Sequence, residues 1–391
     1  MDKGLVLDYA VLYTPEEVIS PGTVVVDEAG KISYAGPMDD APRSSGLRLD
    51  MRNRFVIPGL MDVHVHGGHN VTFGNMENLE EDLRSYSDWV VQNGVTGFLT
   101  SITHSTREGL VEMVGMYADL MEKGMPGAEP LGIHLEGPFM NVAKKGAQNP
   151  EWIRDPDPEE ARACIEAGRG WVKQVTMAPE LPKAHEVAGI FRRGGVVVAA
   201  AHTDADYDTA KEAFEGDWTH VTHTYNAMNG LHHRKPGMIG AVFGSDNLTA
   251  ELIADTIHVH PGAMKVMIRS LGTDRVVLIT DAMEAAGLPD GNYALLGHDV
   301  TVKDGAARLK DGTLAGSSAL LNKCVHNVNK EVGVPLIDAV KMATLNPARA
   351  MGFSDRLGSI TAGKDASLAV VDEDMNVYLT IVNGEIVYNQ L

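Results

Sequence analysis

Cysteine is nearly absent from this chain. Cys164 and Cys324 are the only two, and they form neither a CxxC pair nor any other metal-ligand spacing. That excludes a disulfide framework and a cysteine-held zinc, and both thiols read as buried residues of a reducing compartment. No apolar run approaches the roughly 20 residues that a membrane helix needs. Met1-Asp2-Lys3 leads into a short strand-like run rather than a secretory leader, so a cytoplasmic protein is expected. Cations are also scarce: 33 Lys and Arg stand against 53 Asp and Glu, a formal net charge of −20. A surface this acidic repels nucleic acid and anionic membranes, and neither is expected as a partner. Internal repeats and low-complexity segments are missing as well.

What is present suits one large domain plus a smaller one: 391 residues, 44% hydrophobic and 22% charged, within the ordinary globular range. Both ends are β-like. Residues 4–57 hold short strands such as Gly22-Thr23-Val24-Val25-Val26, and residues 357–391 include Ser367-Leu368-Ala369-Val370-Val371. The run from Thr380 to Tyr388 carries Asn383-Gly384 between β-branched stretches, a hairpin signal. One composite β-sandwich domain built from both termini is expected, over 1–57 and 353–391. Between them, over 58–352, short apolar runs alternate with helical patterns such as 77–93 and 107–123. Strands are predicted at 59–66, 96–103, 131–137, 174–179, 196–203, 220–226, 249–257 and 276–282. Eight such units argue for a (β/α)8 TIM-like barrel. An open doubly wound sheet is the alternative, weakened because no glycine-rich dinucleotide turn follows the first strand.

Barrel enzymes place their chemistry at the C-terminal ends of the strands, and polar clusters fall there. They are His64-Val65-His66, His134-Leu135-Glu136-Gly137-Pro138, Ala201-His202-Thr203, Thr222-His223-Thr224 and Thr280-Asp281-Ala282. The strand period of two puts His64 and His66 on one face. Imidazoles on one face, with carboxylates from other strands, suit a divalent metal, zinc or iron(II). A lone HxH fits a polar strand end equally well, but five clusters in this order favour the metal site. An Asp after a strand often caps the next helix. At the eighth strand, beside a metal, Asp281 reads instead as the general base that takes a water proton and delivers it to a leaving nitrogen.

With these motifs in view, the chain resembles the amidohydrolase superfamily and, within it, the N-acetylglucosamine-6-phosphate deacetylases along its whole length. The matching stretches are Pro58 to Gly67, His134 to Phe139, Thr222 to Met228, Leu314 to Ser318 and Gly358 to Leu368. The resemblance implies a metal-dependent barrel that deacetylates a phosphorylated amino sugar, with one or two ions per subunit. Glu136, His202 and His223 would hold the principal ion, and His64 and His66 a second, with Glu136 bridging and Asp281 beside them. Asn226 and Ala227 would meet the phosphate, and His258 the sugar. Ala147 and the Ala315-Gly316-Ser317 stretch would line the substrate site. Arg234 would reach the phosphate of a neighbouring subunit, which implies a homodimer and answers the shortage of cations, since guanidinium binds phosphate bidentately. Lys144 and Lys145 could support the local field, though a solvated charge pair is the simpler reading, and His134 reads as packed or supporting.

One departure stands out. The family reads Lys-Gly-x-His-Asn-Pro where this chain has Lys145-Gly146-Ala147-Gln148-Asn149-Pro150. Gln148 can donate a hydrogen bond to the acetyl carbonyl but carries no charge. Three alternatives stand beside this reading. N-acetylgalactosamine 6-phosphate is an alternative substrate in the same class. A cyclic amidase would need a bridging lysine on the fourth strand, and 174–180 has none near its C-terminal end. A non-catalytic relative would be expected to have lost ligands or base, and all are present.

Overall fold

The computed structural model describes residues 4–295 and 297–391. Met1 to Lys3, which carried the leader reading above, lie outside the described residues.

Eight parallel strands form one sheet in sequence order: β1 (Leu60–Val65), β2 (Val95–Ile102), β3 (Glu129–Glu136), β4 (Val172–Met177), β5 (Val197–Ala200), β6 (Trp218–Val221), β7 (Thr249–Ile253) and β8 (Val276–Ile279). All of the predicted strands are present. β1 and β2 are buried at every residue, as expected of strands covered on both faces, and polar side chains among them, such as Asp62 and Ser101, are hydrogen-bonded inside the barrel. The sheet closes on itself just beyond β8. Asp281 N donates to His64 O at 2.9 Å and His66 N donates to Ala282 O at 2.8 Å.

Helices follow the strands on the outside. The one at Arg107–Lys123 begins where the Thr106 side chain accepts the Gly109 amide and buries Leu110, Met113, Val114, Tyr117 and Met121. That spacing is one helix face. The helix at Pro158–Gly168 starts with Asp157 capping two amides and proline in its first turn. After β8, the strands Gly291–Leu295, His298–Lys303 and Ala306–Arg308 make a small antiparallel sheet beside the barrel mouth.

The two chain ends build one mixed eight-stranded sheet. Leu368–Val371 pairs with Phe55–Pro58, which in turn pairs with Leu5–Tyr13. Leu7, Leu12, Val24, Val56, Leu368, Val370, Leu379 and Ile381 share its core. The Asn383-Gly384 hairpin forms with both turn residues at positive φ, 50° and 85°. No helix among the described residues is long and apolar enough to cross a membrane.

Candidate metal and active site

The strand-end clusters converge on one point. Glu136 closes β3, and its Oε1 lies 3.2 Å from Nε2 of both His202 and His223. Those two imidazole nitrogens are 3.0 Å apart. The other carboxylate oxygen, Oε2, lies 3.1 Å from His66 Nε2. His64 and His66 present their Nε2 atoms 3.4 Å from one another, each 3.4 Å from Asp281 Oδ1. Two groups result, Glu136-His202-His223 and His64-His66-Asp281, with the Glu136 carboxylate between them.

The backbone is bent to deliver these side chains. His202, His223 and Asp281 adopt φ of 48°, 31° and 50°, a region that residues other than glycine rarely occupy and that concentrates at functional sites. This also explains a difference from expectation. Strands predicted to run to 203 and 226 leave the sheet at Ala200 and Val221, because the chain turns outward at each histidine.

The hydrogen bonds behind the rings fix which nitrogen faces the centre. His202 Nδ1 bonds to the Lys144 carbonyl at 2.8 Å, and His64 Nδ1 bonds to Glu251 Oε2 at 2.9 Å. With the proton held on Nδ1, both rings aim an Nε2 lone pair at carboxylate oxygens. Lone pairs facing lone pairs in a buried cluster need a cation, and histidine with carboxylate is the donor set of zinc or iron(II). The site thus fits the metal of the sequence reading. The electrostatics agree. Burial alone would lower the His64 pKa, but Asp281, Glu251 and Glu136 raise it well above the ordinary imidazole value. Protons and metal compete for such nitrogens. Burial would raise the Asp281 pKa, yet His64 and His66 outweigh it and hold the carboxyl below its usual range.

Glu251 went unremarked in the sequence. It is fully buried on β7, and besides His64 it accepts the His223 amide, the Gln174 side chain and His220. The available signal was a charged residue inside the apolar run 250–253, since a fully buried carboxylate must be paired. His134 proves to be packed and satisfied, its ring bonded to Ser101 and Thr176, with burial and His64 holding its pKa well below the usual value.

A cavity of about 340 Å³ opens over the cluster. Ala147, Gln148, Asn226, Ala227, His258 and Gly316 line it with His66, Glu136, His202, His223 and Asp281, as do Lys144, Leu295, Thr313 and Leu314. Of the remaining residues singled out in the sequence, two have side chains turned to other surroundings. Ala315 sits in an apolar cluster with Met283 and Leu295, and the Ser317 hydroxyl donates to the Thr280 carbonyl at 2.5 Å. Thr313, Leu314 and Gly316 border the cavity, and the chain bends at Gly316, so that Ala315 and Ser317 are not among the residues that line it. Gly316 has φ 61°, and a Cβ there would lie 3.1 Å from Asp281 O. His258 is held by Asp255 at 2.7 Å. Burial would lower its pKa, but the Asp255 bond raises it overall. Gln148 is buried, and its amide donates to Glu136 Oε2 at 2.7 Å, so its present partner is the shared carboxylate. Arg234 lies outside the cavity, exposed on the loop before the helix Gly237–Gly244, with its guanidinium against His233. Lys144 departs from the solvated reading. The Lys144 side chain is only 25% exposed and pairs with Asp204 at 3.4 Å.

Residues 55–387 match the model of the Amidohydrolase family. An N-acetylglucosamine-6-phosphate deacetylase of Bacillus subtilis (strain 168) is 36% identical over 99% of this chain and 98% of its own length. An N-acetylgalactosamine-6-phosphate deacetylase of Escherichia coli O157:H7 is 35% identical over 84% of this chain and 86% of its own. Among solved structures, a mutant N-acetyl-D-glucosamine-6-phosphate deacetylase from Mycobacterium smegmatis in complex with N-acetyl-D-glucosamine-6-phosphate superposes with a TM-score of 0.92. It has 32% identity and covers 99% of this chain and 100% of that one. The strand-end ligands, the closed barrel and these full-length likenesses agree: the chain belongs to the amidohydrolase family, with N-acetylglucosamine-6-phosphate deacetylases as relatives along almost all of its length.

Proposed function

We propose that the protein hydrolyses N-acetyl-D-glucosamine 6-phosphate to D-glucosamine 6-phosphate and acetate, in the breakdown or recycling of amino sugars in the cytoplasm. One observation carries the reading. A buried cluster of four histidines and two carboxylates opens into a cavity bounded by the Asn226-Ala227 turn, in a chain whose relatives act on this sugar phosphate.

Glu136, His202 and His223 would hold the principal divalent ion, zinc or iron(II). His64, His66 and Asp281 offer places for a second, with Glu136 between. When bound, a divalent ion lowers the pKa of water toward about 7 and polarises the acetyl carbonyl. Asp281, kept ionised beside His64 and His66, takes a proton from the attacking water. It then returns that proton to the amide nitrogen as the carbon–nitrogen bond breaks, so the sugar leaves as an amine. Gln148 faces the same space and supplies a neutral donor for the acetyl oxygen, in exchange for its bond to Glu136. His258, positioned by Asp255, contacts the sugar. Asn226 and Ala227 meet the phosphate, joined in a homodimer by Arg234 of the partner subunit. We assign 58–352 to the catalytic barrel and 1–57 with 353–391 to the supporting β domain.

The likeness to the Escherichia coli O157:H7 protein makes N-acetylgalactosamine 6-phosphate the competing substrate. The fourth strand supports neither hydantoinase nor dihydroorotase chemistry, because its one lysine, Lys173, lies toward the start of β4 near the Phe353 ring. Acetate release from both sugar phosphates by the zinc- and iron-loaded protein decides. The reading requires kcat/KM for the glucosamine compound to exceed that for the galactosamine compound, and release from neither sugar would overturn it.

A further inference from the structure

An acidic chain must gather cations to hold a phosphate, and the sequence points first to Arg234, borrowed from a second subunit. The structure supplies another from within. Lys144 is the one lysine or arginine among the described residues lining the cavity. It ends the short 3-10 turn Val142–Lys144, and its two ends face different parts of the site. The carbonyl accepts from His202 Nδ1, and the ammonium meets Asp204 at 3.4 Å.

This placement is held from several sides. Glu180 accepts the Asn141 side-chain amide at 2.9 Å, the Asp204 amide at 2.7 Å and the Thr203 hydroxyl at 2.5 Å. It thereby ties the Lys144 turn to the loop after β5. Thr203 N donates in turn to Ala227 O at 3.2 Å, and Asn229 Nδ2 donates to Asp204 O at 2.8 Å. The Lys144–Asp204 pair therefore stands beside the Asn226-Ala227 turn. Asp204 is half exposed, with a side-chain exposure of 53%, and such pairs hold weakly against competition from solvent and other ions. A phosphate ester carries close to two negative charges near neutral pH and offers three acceptor oxygens. It is a stronger partner for an ammonium than one solvated carboxylate.

We propose that Lys144 is the cationic contact that the subunit itself supplies to the 6-phosphate, and that Asp204 is the anion the phosphate displaces from it. The inference rests on the sugar-phosphate reading above. It deepens that reading by naming a residue for specificity. The lysine carbonyl serves the metal ligand, so changing the side chain leaves the His202 bond available.

The test uses the metal-loaded wild-type protein with Lys144→Ala, Lys144→Arg and Asp204→Asn, each checked for unchanged metal content. Kinetics are measured on N-acetylglucosamine 6-phosphate and on N-acetylglucosamine, and binding of D-glucosamine 6-phosphate and D-glucosamine by calorimetry. Lys144→Ala should raise KM for the phosphorylated substrate about tenfold to a hundredfold, the scale of a charged hydrogen bond. Its kcat, and the constants for the unphosphorylated sugar, should stay within a few fold. Lys144→Arg should restore most of the affinity, and Asp204→Asn should tighten D-glucosamine 6-phosphate binding. Equal effects of Lys144→Ala on both sugars, or weaker phosphate binding in Asp204→Asn, would overturn the inference while leaving the functional reading intact. A wild-type protein that treats both sugars alike would overturn the functional reading itself, and this inference with it.

Discussion

Glu251→Gln isolates the contribution of one buried charge to the metal cluster. Glu251 Oε1 accepts Gln174 Nε2 at 2.9 Å and His220 Nε2 at 3.2 Å, while Oε2 accepts His64 Nδ1 at 2.9 Å and the His223 amide at 3.0 Å. A glutamine of equal volume must point its NH2 toward one of these pairs. Toward Gln174 and His220 the neighbours can adapt. Gln174 Oε1 is buried without a partner, so turning that amide over supplies an acceptor. His220 can shift its proton to Nδ1, which lies 2.6 Å from the Thr249 hydroxyl. The fold should therefore lose only about 1 kcal/mol, the net worth of an ordinary hydrogen bond. What cannot be recovered is the charge that keeps the His64 proton on Nδ1 and its Nε2 free. Removing such a supporting carboxylate typically weakens metal binding about 10–100-fold, or about 1.4–2.7 kcal/mol. The loss should fall mainly on the His64-His66-Asp281 group and less on Glu136-His202-His223, where the backbone amide of His223 is the only contact. Chelator competition on metal-free protein, with zinc counted per chain, measures this, and thermal unfolding without metal measures the fold. Unchanged zinc affinity, or loss of the ion held by His202 and His223 first, would refute the reasoning.

Four further outcomes are expected. Replacing His202 and His223 together by alanine should strip the principal ion, and stoichiometric metal in that protein by elemental analysis would show the ligand assignment wrong. Asp281→Asn should lower kcat about 10²–10⁴-fold, the usual scale of general acid–base catalysis, with product binding nearly intact by calorimetry; near wild-type turnover would exclude the role. Arg234→Ala should raise KM for the phosphorylated substrate far more than for its unphosphorylated analogue, and an equal rise for both would remove Arg234 from phosphate recognition. Gln148→His should raise kcat on N-acetylglucosamine 6-phosphate by about tenfold, a part of the 10²–10³ that one oxyanion donor typically supplies. A kcat that stays level or falls would sink that idea.

The barrel was legible because its physics is local. β1 and β2, buried on both faces, are built largely of apolar residues, and the helix 107–123 announces itself through Thr106 at its start and Gly124 at its end. The cluster at the barrel mouth was legible because histidines and carboxylates at the ends of apolar strands stand out against their surroundings. Three things were not. The ends of β5 and β6 depend on backbone turns at His202 and His223 that no propensity encodes. Ala315 and Ser317 were read together with Gly316, but the backbone bends at Gly316, at φ 61°, and of the three only Gly316 lines the cavity. Glu251 has partners at positions 64, 174, 220 and 223, and such a set exists only once the barrel has closed.

That closure has a consequence for how the protein comes into being. The bonds from Asp281 N to His64 O and from His66 N to Ala282 O form the seam of the barrel, and beside them Thr280 Oγ1 donates to Asp62 Oδ2 at 2.6 Å between residues 218 positions apart. The residues proposed for chemistry are thus the ones that join the first staves to the last. During synthesis the His64-His66 pair emerges early and waits for β8 before its third donor exists. Catalytic competence should therefore arrive late and all at once, and uptake of metal by the His64 group would report that the last strand has docked.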